Sequence, residues 1–208
     1  MLIETTLIIN RLDRKILMFN MPNMLLIGAA DRNVGKTAFA CEMIKIFSAS
    51  LPVTAFKITV IKEKNGMCPR GGKGCGVCTS VSGNFMITEE LNNNTHKDTS
   101  KMLAAGAVKV LWLRVMENFM DEGVKALLDS IVDPINSAVI CESNSIRKVI
   151  DPGLFIVFRK KNVNYIKPSC NEVIHLADKI INFDPVFFKF SVDLKRFNFN
   201  ASKWSYKG

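Results

Sequence analysis

The chain has 208 residues, 48% hydrophobic and 23% charged, which is enough for one folded domain with a sizeable core and excludes a disordered chain. Its apolar runs, such as residues 24–30, fall far short of the roughly 18–20 residues that span a bilayer, so no membrane partner is expected. Twenty-eight basic residues against 19 acidic ones give a formal net charge of +9, which favours anionic partners; without a run of five Lys/Arg, and with two Trp and two Tyr against 14 Phe, nucleic acid is not the expected one.

Residues 1–23 carry apolar clusters at 7–9 and 16–19, separated by Arg11, Asp13, Arg14 and Lys15. A secretory signal would put its positive charge first and keep its apolar segment whole; here Glu4 leads and Arg14 interrupts. The segment is predicted to be an N-terminal extension forming an edge strand or hairpin, or a translated upstream stretch, with Met18, Met21 and Met24 as alternative starts. With no export signal, the six cysteines are expected to be reduced thiols or ligands in a cytoplasmic protein.

The next segments alternate. Residues 24–27 form a short apolar strand, followed by a small-residue turn and a helical pattern through Ala38, Ala40, Met43, Ile44 and Phe47. Val53–Ile61 reads as a second strand, residues 64–84 as a Cys/Gly-rich insertion, and 96–106 as a helix ended by Gly106. A strand at 108–115, an amphipathic helix at 118–132, strands at 138–141 and 154–158, a helix at 170–179 and a strand at 179–183 follow. Trp112 and Met116 read as core residues of a helix, and His175 as a packing or surface residue. The tail, 185–208, has no clear period and is expected to pack across the sheet edge. The alternation predicts an α/β domain over 24–184, a doubly wound, mainly parallel sheet flanked by helices.

Between the first strand and helix lies Gly28-Ala-Ala-Asp-Arg-Asn-Val-Gly-Lys-Thr37. A strand–loop–helix of this kind wraps polyphosphate with backbone N–H groups, and the positive end of the helix adds to the same site. Asp31, Arg32, Asn33, Val34, Gly35, Lys36, Thr37 and Ala38 are the expected nucleotide-binding residues. Lys36 would reach the β- and γ-phosphates, and Thr37 would offer its hydroxyl to Mg²⁺. In the usual Gly-x-x-x-x-Gly-Lys-Ser/Thr pattern the first glycine falls here on Ala30, and the plain alternative is a helix start with a surface lysine. Glu142, after an apolar strand, would hold Mg²⁺ directly or through water. Asp98 and Thr99 open a helix, either as a switch touching the γ-phosphate or Mg²⁺, or with Thr95 or Asp98 as a plain cap.

Asp31-Arg-Asn-Val-Gly-Lys-Thr37 resembles the loop of dethiobiotin synthetases, which also lacks the standard first glycine. Lys97-Asp-Thr-Ser-Lys-Met-Leu-Ala-Ala-Gly-Ala107 resembles a Lys-Asp-Ser…Ala-Gly-Ala segment of the MobB family, nucleotide-binding accessory proteins of molybdopterin–guanine-dinucleotide biosynthesis. Val139-Ile-Cys-Glu142 is similar to that family's Val-x-Val-Glu, and Lys57 to its Ile-Lys-His strand end, although the histidine is missing here. The resemblance spans residues 24–183 and implies a P-loop NTPase: Mg²⁺-dependent binding of ATP or GTP and its hydrolysis, in molybdenum cofactor biosynthesis or metallocentre assembly. It also implies Lys36 and Asp98 as the catalytic pair, a homodimer, and a partner from a metalloenzyme or cofactor pathway. The Asn-Lys-x-Asp string of many GTPases is absent, and the choice between ATP and GTP stays open.

Cys68, Cys75 and Cys78 form a C-x6-C-x2-C loop among Gly66, Gly71, Gly72, Gly74 and Gly76. Three thiolates can hold Zn with a fourth ligand, from His96 or a second subunit, or an iron–sulfur cluster with one open iron. The alternatives are a Gly-rich loop with free thiols, or a basic clamp in which Arg70 and Lys73 touch an anionic substrate. Cys41, Cys141 and Cys170 are expected to pack in the core. Two further functions follow: a metal or iron–sulfur carrier or sensor that uses nucleotide as a gate, and a non-hydrolysing module for a nucleotide-bearing cofactor.

Overall fold

The computed structural model describes residues 5–9, 15–62, 81–131, 136–187 and 189–208. In chain order these form β1 (Thr5–Ile9), β2 (Lys15–Ala29), α1 (Lys36–Ser48), β3 (Val53–Ile61), β4 (Phe85–Glu89), α2 (Asp98–Ala104) and β5 (Lys109–Met116). They continue with α3 (Met120–Leu128), β6 (Ala138–Glu142), β7 (Ile150–Lys160), α4 (Pro168–Asn171), β8 (Lys179–Asp184), β9 (Lys189–Phe190), β10 (Phe197–Asn200) and β11 (Lys203–Tyr206).

Among the described residues the main sheet runs β4-β5-β3-β6-β2-β7-β8-β9, with β1 paired to the front of β2. The strands from β5 to β8 are parallel; β4, β9 and β1 are antiparallel at the margins. β6 sits between β3 and β2 with all five residues buried, and the apolar run from Ala138 to Cys141 is that expected of a strand covered on both faces. One face packs Leu26, Phe56, Leu113 and Val139 against Val124 and Leu127 of α3. The other packs Leu25, Ile27, Ala55 and Ile140 against Phe39, Met43 and Ile44 of α1 and Met102 of α2. The fold is therefore α/β, a mostly parallel sheet with helices on both faces. Among the described residues no helix is long and apolar enough to cross a membrane.

The structure departs from the sequence expectations in five places. The boundary at residue 24 falls inside β2, because Phe19, Asn20 and Met21 pair with Ile150, Asp151 and Pro152 of β7 before the register shifts towards Leu25. At that shift the backbones nearly touch: a Cβ on Gly153 would lie 1.9 Å from the Pro22 carbonyl oxygen. The helix expected over 118–132 is α3 alone, led in by a 3₁₀ turn at Glu117–Phe119. The helix expected over 170–179 is the single turn of α4 plus a 3₁₀ turn at Ile174–Leu176, which brings only Cys170 and Val173 fully inside. β4, for which no strand was expected, pairs along β5.

The tail is the fifth, and it departs only in part, since packing at the sheet edge was expected. It adds β9 to the sheet edge through Phe183 and Asp184, then folds β10 and β11 into a separate hairpin over the α1 face. Trp204 of that hairpin is fully buried, its ring 4.6 Å from Phe47 and 5.3 Å from Phe199. The tail is thus a second layer of core.

Candidate functional site

β2 ends at Ala29 and α1 begins at Lys36, and the turn between them is pinned from beneath. Asn144 grips its start with both ends of its amide: Ala29 N donates to Asn144 Oδ1 at 2.7 Å, and Asn144 Nδ2 donates to the Ala29 carbonyl at 2.9 Å. Ala30 N donates to the Phe158 carbonyl at 2.7 Å, and Lys167 N donates to the Ala30 carbonyl at 2.8 Å. Val34 is buried under the turn. Asn33 and Gly35 both take positive φ, 53° and 75°, conformations that asparagine tolerates and glycine prefers. A Cβ on Gly35 would also meet Phe190 at 2.7 Å and Phe183 at 3.0 Å, so β9 and β8 close off any larger residue there.

Gly35 caps α1 with no side-chain hydrogen bond, leaving the first-turn N–H groups to face whatever enters the cleft. That cleft, of about 640 Å³, opens at the carboxyl ends of the parallel strands. Its wall includes Arg32, Asn33, Val34, Gly35, Lys36, Thr37 and Ala38, with Lys57, Asp98, Glu142, Asn144 and Lys167 around them. Asp31 is the exception among the expected loop residues. It turns away to Lys160, whose Nζ donates to Oδ2 at 2.7 Å, and this bond with the Arg32 backbone N–H holds the carboxyl below its usual range. The Lys160 ammonium thus offsets the Asp31 charge.

At the cleft floor five side chains meet. Glu142 ends β6, in register with Ile27 of β2 on one side and Lys57 of β3 on the other. It is only 5% exposed, and its Oε1 has no hydrogen-bond partner. Burial pushes its carboxyl up, opposed by Lys57, the Thr37 hydroxyl and Lys36. Asp98 opens α2 and receives a hydrogen bond from Lys57 Nζ, which lies 3.8 Å from Glu142 Oε2. Burial raises the Asp98 carboxyl, yet Lys57, Lys101 and the Thr37 hydroxyl outweigh it and leave the group below its ordinary value. Burial lowers the Lys36 ammonium, with Glu142 pulling it back up.

Capping is not what Asp98 does, since α2 begins without a side-chain cap. Thr99 is turned away too: its hydroxyl donates to Glu90 Oε2 at 2.7 Å. Thr95 accepts from the Lys97 backbone N–H instead of capping. Trp112 and Met116 lie half-buried on β5, not in a helix; the Trp112 indole donates to Thr59 Oγ1 at 3.1 Å and carries the Arg114 guanidinium 4.5 Å above its ring.

Burial raises all three described thiols, the half-buried Cys41 to about 11, with Cys141 and Cys170 also pushed up, as befits packing residues. Cys68, Cys75 and Cys78 lie outside the described residues. His96 and His175 are exposed, and among the described residues no group of three or more His, Cys, Asp or Glu is gathered as a metal centre. Asn144, Lys160 and the Lys167 backbone support the loop from later parts of the chain: Asn144 follows β6, Lys160 ends β7 and Lys167 lies beyond it, and each meets the loop only in the folded sheet. No protein-family model matches the chain, and no curated protein matches it.

Proposed function

We propose that the cleft binds the phosphates of a purine nucleoside triphosphate, ATP or GTP, together with Mg²⁺, and that the protein is a P-loop NTPase of the MobB-like kind. The observation that carries this reading is the buried Glu142 carboxylate. It has one unpartnered oxygen and stands beside Thr37 and Lys36 at the start of a helix whose cap is a left-handed glycine. A buried carboxylate oxygen without a partner costs stability and invites a cation, and the helix start with its lysine invites an anion.

The residues fit the metal: Thr37 and Glu142 would hold Mg²⁺, directly or through water, and Asp98 is close enough to the Thr37 hydroxyl to share in the site. Bound there, Mg²⁺ would neutralise charge on the β- and γ-phosphate oxygens. Lys36 spans those oxygens with its ammonium, Arg32 and Lys167 screen the remaining phosphate charge from the cleft mouth, and the rigid seat made by Asn144 keeps the backbone amides aimed. Asp98 orients the attacking group at the γ-phosphate, which makes hydrolysis or transfer a matter of positioning. A place in cofactor or metallocentre assembly rests on the family resemblance of the Lys97–Ala107 and Glu142 segments.

Thermal unfolding with MgATP and with MgGTP tests the reading. A nucleotide held at a hundredfold excess over its Kd should raise Tm by about 5–10 °C in a chain of this size. Lys36→Ala should lose that rise and all phosphate release. Calorimetry that registers no heat with either nucleotide, or a Lys36→Ala variant that binds as tightly as the unaltered chain, sinks it.

A further inference from the structure

Lys57 stands where the metal should. Its stem runs from the middle of β3, and its ammonium lies between two carboxylates brought in by different elements, Asp98 from α2 and Glu142 from β6. We infer that Lys57 is a built-in stand-in for the divalent cation, holding the Asp98–Glu142 pair until an incoming polyphosphate draws the ammonium away and the metal takes its place. The inference rests on the triphosphate reading above.

Three features lead to it. First, the charges of these four groups already balance: Lys36 and Lys57 offset Asp98 and Glu142, so a bare divalent cation arriving on top of them gains no net attraction, whereas one arriving with a polyphosphate brings its own counter-charge. Second, the balance is incomplete in shape. Lys57 bonds to Asp98 but stays 3.8 Å from Glu142 Oε2, and Glu142 Oε1, in a residue 5% exposed, has no partner. A cation seated deeper than the ammonium would satisfy that oxygen. Third, Lys57 can leave: it is a compact charge on a flexible stem, about one quarter exposed, with the cleft wall beside it. Swung outward, the same ammonium meets the phosphate that displaced it. Metal and nucleotide then bind with mutual help, each weak alone.

Titration of the nucleotide-free protein with Mn²⁺, followed by electron paramagnetic resonance, reads this without turnover. Removing the stand-in charge with Lys57→Met should strengthen Mn²⁺ binding about tenfold. The same change should weaken ATP binding in EDTA by a similar factor, because the phosphate loses a cation. Lys57→Arg keeps the charge and should hold Mn²⁺ no better than the unaltered chain. Lys57→Gln replaces Lys57→Met if circular dichroism shows that the latter does not fold. In the unaltered chain ATP should tighten Mn²⁺ retention well beyond ATP's own hold on the ion.

Equal nucleotide-free Mn²⁺ affinity in the unaltered and neutral variants overturns the inference, as does strong Mn²⁺ binding by the unaltered chain without nucleotide. Failure of the triphosphate reading looks different: neither ATP nor GTP binds with or without metal, while the Mn²⁺ comparison between variants still decides the place of Lys57.

Discussion

At the scale of single residues, Glu142 has the strongest consequence. Its carboxyl is raised by burial above the 4.5 of a free glutamate, so the folded chain holds that proton more tightly than the unfolded one. The stability tied to the protonated form is complete below pH 4.5 and is lost as pH rises through the raised folded value. Glu142→Gln mimics the protonated state at every pH. In the absence of nucleotide and metal, the variant should therefore melt higher than the unaltered chain at pH 8, and the two should converge as pH falls towards 4.5. Melting curves across that range check it, and a gap that widens on acidification contradicts the sign. Glu142 was legible in the sequence because it ends an apolar strand. Its pairing was not, since Lys57 and Asp98 are 41 positions apart and meet only when β3 and α2 are both in place.

At the scale of elements, the β10–β11 hairpin carries more of the core than its length suggests. Trp204 is fully buried against Phe47 and Phe199, with its indole Nε1 unpartnered, so it serves the hairpin by volume and not by hydrogen bonding. Trp204→Ala should cost about 3–5 kcal/mol, the usual range for a large buried aromatic, and Trp204→Phe clearly less. Urea midpoints at constant slope measure both, and equal losses would give the missing N–H a role that the packing does not. The hairpin was hidden in the sequence for a definite reason. Its strands are four residues long, too short for a period, and its turn places Ala201 and Ser202 at φ 47° and 59° where Asn-Gly would have advertised it. By contrast β3, buried along most of its length and pressed between two parallel neighbours, was readable residue for residue as Val53–Ile61. α3 came out shorter than its apolar pattern because the chain first has to turn off β5 through Glu117–Phe119. It then lies so close that a Cβ on Gly123 would sit 2.9 Å from Val115.

At the scale of the whole molecule, part of the basic surplus lines the cleft: among the described residues Arg32, Lys36, Lys57, Lys62 and Lys167 stand in its wall with two carboxylates, Asp98 and Glu142. Much of that field is open to water and should be screened. Raising ionic strength from about 0.1 M to 1 M shortens the screening length from about 10 Å to about 3 Å, so nucleotide affinity should fall steadily with salt. Calorimetric titrations at several salt concentrations test this, and an affinity indifferent to salt would mean that the exposed cations play no part. The order in which the chain leaves the ribosome adds a constraint of another kind. Phe183 and Phe190 prop Gly35, and Trp204 seals α1, yet all three are translated long after the turn they support. A nascent chain therefore emerges with that helix face bare and the turn between β2 and α1 unsupported, and the cleft is complete only once residue 206 has cleared the tunnel.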